Sequence, residues 1–397
     1  MTGTGSGKSL CFLLPSFITS GVTIVIVPLL ALQFDLLSRT EALRIPAVVW
    51  DPNQPPTSSV RIVYVTPESV FTNSFNDYIT TLIMSCQLDR IVVDECHTIL
   101  SSRDSFRPKL AKLGELGQKG IQTIYLTATL PPHEEHALLN KLYWNPADVT
   151  LLRSSTVRAN IRYEVRFVRP RHNESPFAAQ VATLKSLLTT RLGQYEAAAK
   201  AVIYSSQLST VEELAASLGC AYYHARSGSQ KEKDVVVNSW KSAALQPNTK
   251  FDGRVIVATS ALGLGVDIPD IRLVVHVSHV YSLEDYSQES GRAGRDGRPA
   301  EAIVLATPKA KTPYDELVRA TKTRQGIPPY TTDQYIYSNV CKRVILDAVL
   351  DGDFSRVACG KDEAPCSCCA RPPPPPSNIT AAIAATSKED GSLSVRT

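Results

Sequence analysis

Short β-branched runs recur along the chain at spacings that leave room for a helix between them: Ile24 to Val27, Arg61 to Thr66, Arg90 to Glu95 and Thr123 to Thr129. Their nearly continuous apolar character predicts strands buried on both faces, as in a parallel sheet. A second series, Ala201 to Ser205, Val255 to Ser260, Leu273 to Ser278 and Ala302 to Thr307, follows a polar stretch around Leu152 to Arg171. The expected fold class is therefore α/β, with two parallel-sheet units in tandem. Nearly every run turns polar at its C-terminal end, the edge where open parallel sheets place ligands, so the cleft between the units is the expected site. Beyond Pro308 the strand pattern stops. A short helix over Val340 to Leu350 and a cysteine-rich segment ending near Cys369 predict a third, small module, and Pro372 to Pro376 lead into a Ser/Thr/Ala-rich tail expected to be disordered. The expected division is 1–152, 153–310, 311–371 and 372–397.

Composition narrows the class. Of 397 residues, 43% are hydrophobic and 20% charged, which excludes collagen, wholesale disorder and a disulfide-stapled miniprotein. The longest nearly apolar run, Val22 to Leu32, is broken by Thr23 and Pro28 and falls short of the roughly 18 residues a membrane span needs, so no membrane partner is expected. No basic-then-apolar leader opens the chain, which points to a reducing, intracellular compartment and to nine cysteines that act as thiols or metal ligands. The formal net charge of +4 leaves nucleic acid open as a partner.

Three constellations carry chemistry. Thr2-Gly-Thr-Gly-Ser-Gly-Lys-Ser9 has the make-up of a phosphate-binding loop: the backbone around Gly5, Ser6 and Gly7 can curl around phosphate oxygens, Lys8 can reach the outer phosphates and the Ser9 hydroxyl can ligate Mg²⁺. The strict pattern wants glycine at Thr2, and a flexible Gly/Ser-rich terminus is the competing reading. Asp94-Glu95-Cys96-His97 ends an apolar run, where Asp94 can hold Mg²⁺ through water and Glu95 can accept a proton from the attacking water. The third is Gln288 to Gly297, in which Arg292 and Arg295 are expected on one face of a helix turn, able to stabilise transition-state charge from across the cleft.

Taken together these segments resemble superfamily-two helicases built from two RecA-like domains. The string Gln288 to Gly297 with Ala258 to Ile271 is similar to the RecQ family in particular, and Val27 to Gln33, Val65 to Glu68, Leu126 to Thr129, Ile203 to Ser205 and Tyr223 to Ala225 match it further. The resemblance runs from Thr2 to Cys369 and implies ATP-driven, 3′ to 5′ translocation on DNA, with single strands and 3′-overhang duplexes as partners. It implies roles in phosphoryl chemistry for Lys8, Ser9, Asp94, Glu95, Gln288, Arg292 and Arg295. It also implies domain coupling for Thr127 and Thr129, a nucleotide-side segment containing Gly265 and Asp267, and phosphate tracking by Pro28, Thr66 and Thr259. A nuclear location follows from the resemblance alone.

Cys341, Cys359, Cys366 and Cys369 are spaced by 18, 7 and 3 positions, and the closing Cys-x-x-Cys is a common half of a tetrahedral Zn²⁺ site. The arrangement resembles the zinc module that follows the RecQ motor, with Cys368 a neighbour able to substitute for Cys369. Cys11, Cys86 and Cys220 are expected to be core thiols.

Three departures from the family pattern are expected to matter. The strand and the glutamine motif that precede the phosphate loop in relatives do not appear, which reads as N-terminal truncation and predicts a sheet deprived of a central strand, with exposed edges. The stretch Ser101 to Pro108 keeps Phe106, Arg107 and Pro108 but has no tryptophan, which predicts weakened coupling to single-stranded DNA. Nothing after Cys369 has the length of a winged helix. The alternatives are an RNA helicase, a translocase that does not unwind, and a catalytically inactive nucleic-acid-binding remnant.

Overall fold

The computed structural model describes residues 3, 7–28, 30–56, 59–101, 120–243, 253–263, 268–278, 280–308 and 330–370. The first unit comprises α1 (Leu10–Ile18), β1 (Val22–Ile26), α2 (Leu30–Ala42), β2 (Ala47–Val49), β3 (Ile62–Val65), α3 (Pro67–Val70), α4 (Asn73–Met84), β4 (Leu88–Val93), α5 (Thr98–Ser101), β5 (Thr123–Tyr125) and α6 (Pro132–Lys141). Its strands are all parallel in the order β2-β3-β1-β4-β5. Every residue of β1 and β3 is buried because both faces of the sheet are covered. Successive side chains alternate between two cores. Ile24, Ile26, Val63, Val65, Ile91 and Val93 pack with Phe75 and Ile79 of α4, while Val25, Ile62, Tyr64 and Val92 pack with Phe12 of α1 and Leu36 of α2. The strands form one continuous ladder in which β1 pairs with both β3 and β4, and β2 and β5 are its edges.

The second unit comprises β6 (Ile161–Phe167), α7 (Pro176–Leu192), β7 (Lys200–Tyr204), α8 (Leu208–Leu218), β8 (Ala221–Tyr223), α9 (Gln230–Ser242), β9 (Val255–Ala258), β10 (Ile271–Val277), α10 (Leu283–Ser290) and β11 (Ala300–Ala306). Its order is β6-β11-β10-β7-β9-β8, again all parallel. One face buries Ile203, Val255, Val275 and Ile303 under Leu184 and Leu188 of α7 and Leu214 of α8. The other buries Val202, Ile256, Val274 and Val304 with Tyr286 of α10, and the two C-terminal helices α11 (Thr332–Tyr337) and α12 (Lys342–Leu350) share this core through Tyr335, Ile345 and Leu346. The cysteine-rich module is thus packed directly on the second sheet.

The sequence predicts a polar stretch over Leu152 to Arg171, yet β6 lies inside it. Ile161, Tyr163 and Val165 face the core, while Arg162 and Arg166 face outward beside Glu164, whose carboxylate pairs with Arg166 at 2.8 Å. This is the alternating pattern of an edge strand, which a search for continuous apolar runs passes over. The short strands β2 and β8 escaped the reading for want of length. The segment joining the units is pinned on both sides. Arg153 donates to the Leu130 carbonyl at 2.7 Å and the Leu350 carbonyl at 3.1 Å, and Asp351 accepts from the Thr156 backbone at 2.8 Å. Among the described residues no helix is long and apolar enough to cross a membrane.

Candidate active site

The polar ends of the apolar runs fall on loops at the carboxyl edge of each sheet, and there the predicted residues gather. Gly7 adopts φ +86°, a conformation glycine takes at little cost, and turns the chain into α1. Lys8 sits in that turn and donates to the Gly3 carbonyl at 3.3 Å. Ser9 heads α1 without making a capping bond, so its hydroxyl is not committed to the helix end. Asp94 and Glu95 follow β4 directly. Asp94 accepts from the Glu95 backbone N–H at 3.0 Å, and Glu95 holds φ +48°, a strained conformation for a side-chain-bearing residue and one typical of functional positions.

The electrostatics bind these groups together. Burial, then the neighbouring Glu95 carboxylate, push Asp94 up to about 7. Burial also works to raise Glu95, but His97, Lys8 and Arg292 outweigh it and hold this carboxyl below its ordinary range. Lys8 is lowered chiefly by burial and further by Arg295, against the pull of Glu95 and Asp94. The Asp94 carboxylate, close to Lys8, and the Ser9 hydroxyl, the next residue in the chain, are hard oxygen donors of the kind Mg²⁺ takes.

The second half of the site lies on the far side of the cleft. Helix α10 stops at Ser290, and Arg292 and Arg295 stand in the turns that follow. They therefore do not share a helix face as the sequence predicts; Gly294, at φ +55°, takes the chain out of helical geometry between them. Arg292 is nonetheless close enough to act on Glu95, and Arg295 on Lys8, so the arginines of one unit face the acid and the lysine of the other. Gln288 and Arg292 line a cavity of about 440 Å³ together with Ser206, Thr259 and Ser260.

The cysteines also converge. The sulfurs of Cys341, Cys359, Cys366 and Cys369 all lie within 4.8 Å of one another, with Cys341 at 3.6 Å from Cys359 and 3.7 Å from Cys366. A tetrahedron with Zn–S bonds of about 2.3 Å has edges of about 3.8 Å, so these residues fit Zn²⁺. Cys368 stays outside the foursome. Cys220 is half-buried, whereas Cys11 and Cys86 are exposed and do not belong to the core.

Comparison with known proteins adds the family. Residues 1–138 match the DEAD/DEAH box helicase family, and residues 179–297 match the helicase conserved C-terminal domain. Curated relatives include the ATP-dependent DNA helicase hus2/rqh1 of Schizosaccharomyces pombe, 31% identical over 90% of this chain and 28% of that protein. The RecQ-like DNA helicase BLM of Xenopus laevis is 30% identical over 86% of this chain and 25% of its own. The chain thus carries both helicase domains, and these curated relatives are RecQ-type helicases. It spans between a quarter and about half of the length of such relatives. Among solved structures, Mycobacterium smegmatis helicase Lhr bound to ssDNA and AMP-PNP aligns with a TM-score of 0.56 at 20% identity, covering 80% of this chain and 44% of that one, which shows the shared two-sheet fold.

Within this site, His97 is the residue that sequence reasoning passed over. Its Nδ1 lies 2.9 Å from the Thr127 hydroxyl and 3.3 Å from Glu95, and the same hydroxyl accepts from the Thr129 N–H at 3.1 Å. The imidazole thus joins the acidic motif to the Thr127–Thr129 loop. An imidazole two positions beyond the acidic pair was the available signal. Gly5, Ser6, Gly265, Asp267, Phe106, Arg107, Pro108 and the proline-rich tail lie outside the described residues.

Proposed function

We propose that the chain is the motor of an ATP-dependent 3′ to 5′ DNA helicase of RecQ type, in which hydrolysis in the cleft drives translocation on single-stranded DNA and duplex unwinding. The division 1–152, 153–310, 311–371 and 372–397 belongs to this reading. The observation that carries it is the meeting, across two sheets, of Lys8, Asp94 and Glu95 with Arg292 and Arg295.

In this mechanism Lys8, with the backbone around Gly5, Ser6 and Gly7, would hold the ATP phosphates, and by the family resemblance Gly265 and Asp267 belong to the segment of the second unit that serves the nucleotide side. Ser9 and Asp94 would hold Mg²⁺, which neutralises phosphate charge. Glu95, kept ionised by His97, Lys8 and Arg292, accepts the proton of the attacking water, and Gln288 helps to orient the reactants. Arg292 and Arg295 stabilise the charge that develops on the transferred phosphoryl group, so full catalysis needs the two units together. Cys341, Cys359, Cys366 and Cys369 would hold a structural Zn²⁺. The relatives' names specify DNA, which favours DNA over RNA, and a nuclear location rests on the family resemblance.

The deciding experiment measures ATP turnover with and without single-stranded DNA or RNA, taking Lys8→Ala as the blank. DNA-stimulated turnover, separation of a 3′-overhang duplex but not a 5′-overhang one, and about one zinc per chain are expected. Stimulation by RNA alone would replace the DNA reading. Turnover without strand separation would leave a translocase, and turnover no higher than the blank would leave an inactive fragment.

A further inference from the structure

The turns that carry Arg292 and Arg295 follow the C-terminus of α10, where helix carbonyls have no partner within the helix. The last helix carbonyls accept from the turn itself, and the carbonyls of the turn are gathered by one side chain from another part of the chain. The Arg158 guanidinium donates through Nη1 to the carbonyls of Gly291 and Ala293, each at 3.3 Å, and through Nη2 to that of Gly294. Among the described residues Arg158 forms no ion pair, and its positive charge suits the negative end of a helix dipole. Two residues on, the Asn160 amide donates to the carbonyls of Gly294 at 2.9 Å and Arg298 at 2.7 Å. Gly294 is moulded to this contact. A Cβ there would stand 2.5 Å from the Asn160 nitrogen and 2.6 Å from the Arg298 carbonyl, on a backbone already at φ +55°.

The clamp is itself held from behind. Arg343, on α12 two positions after Cys341, is fully buried and donates to the carbonyls of Arg158 at 2.9 Å, Ala159 at 3.0 Å and Ile161 at 2.8 Å. Its fourth bond, at 3.2 Å, reaches the Ala364 carbonyl inside the cysteine module. An unbroken series of charge-assisted bonds therefore runs from the cysteine module through the 158–161 backbone to the loop between the two arginines.

We propose that Arg158 is a positioning residue for ATP hydrolysis: it fixes the loop from which Arg292 and Arg295 reach across the cleft, and Arg343 makes that geometry depend on the cysteine module. The proposal rests on the ATPase reading given above. The Arg158 guanidinium is committed to the carbonyls of Gly291, Ala293 and Gly294, so it acts through the two arginines. A displacement of about 1 Å in such a group lowers turnover about 10²-fold.

The test is a kinetic cycle with Arg158→Ala, Arg292→Ala and the double variant, in the full chain with single-stranded DNA. Arg158→Ala should lower kcat about 10²-fold while KM for ATP, DNA affinity by fluorescence anisotropy and the thermal unfolding midpoint stay near wild type. In the Arg292→Ala background, where only Arg295 is left to be positioned, it should lower kcat by clearly less than it does in the wild-type chain. Arg158→Lys offers one ammonium where a planar fork serves three carbonyls, so it should lose part of the same activity; this variant is read instead should Arg158→Ala not fold. A wild-type kcat in Arg158→Ala, or losses that multiply in the double variant, would overturn the proposal. A wild-type chain with no turnover above the Lys8→Ala blank would overturn the ATPase reading and this inference with it, whereas a working wild type with an unaffected Arg158→Ala removes the inference alone.

Discussion

The two halves of the cleft are built in opposite ways. On the first unit Lys8, from the turn before α1, and Asp94 and Glu95, from the loop after β4, crowd one another in partly buried positions; Glu95 is backbone-strained, and Asp94 is pushed up to about 7 by burial and by its neighbour. On the second unit the arginine loop is anchored. Arg158 and Asn160 hold its carbonyls, and Arg272, almost fully buried, grips Asp296 at 2.6 and 3.0 Å while also bonding Glu196 at 2.9 Å. The first half stores unfavourable charge that a phosphate and a cation would relieve. The second half is assembled in advance, so that its arginines need not be ordered when the cleft closes.

Three substitutions would break or sharpen that contrast. The largest effect is expected from Glu95→Gln, which removes the proposed proton acceptor and leaves shape intact: turnover should fall about 10²- to 10⁴-fold while nucleotide still binds. Retained hydrolysis would show that the first half does not do the proton chemistry. Asp94→Asn should be smaller and of opposite sign for stability. Without Mg²⁺ or nucleotide it relieves two adjacent buried carboxylates, and we expect about 1–2 kcal/mol of added stability at neutral pH in denaturant unfolding, together with lost turnover. Destabilisation instead would mean that this half is as well satisfied as its partner.

The smallest effect concerns pH. Burial alone would raise Asp296, but its bonds to Arg272 outweigh that and hold it below the ordinary carboxylate range. Its contribution is therefore complete above about pH 4 and is lost as the pH falls through its lowered value. Because this side chain is partly exposed, Asp296→Asn should remove only about 1 kcal/mol or less at neutral pH and flatten the acid limb of the stability curve. A curve parallel to wild type between about pH 5 and 2 would show that the Arg272 anchor is not electrostatic.

How much of this was legible in the chain varies with the kind of interaction. The eight apolar runs all became strands, because a strand buried on both faces has to be apolar throughout whatever surrounds it. Edge strand β6 was not read, since only its partner β11 and the ion pairs of Glu164 show which of its alternating residues face inward. The phosphate-loop lysine, the acidic pair and the arginine string were legible as motifs, because chemistry demands those residue types in short, fixed spacings. The four-cysteine cluster was legible for the same reason.

What the chain order could not reveal is who holds the motifs in place. His97 between Glu95 and Thr127 spans 30 positions, and Arg158 to Gly294 spans 136. Arg343 to Arg158 spans 185. Each is a hydrogen bond to a hydroxyl or a backbone carbonyl, groups available in nearly every segment, so the residue types alone do not select the partner. The sequence by itself determined two parallel-sheet units, the reactive groups and the metal-ligand spacing. The tertiary structure alone decided that the arginines leave the helix, that the cysteine module shares the second core, and that Arg158 and Arg343 tie the two together.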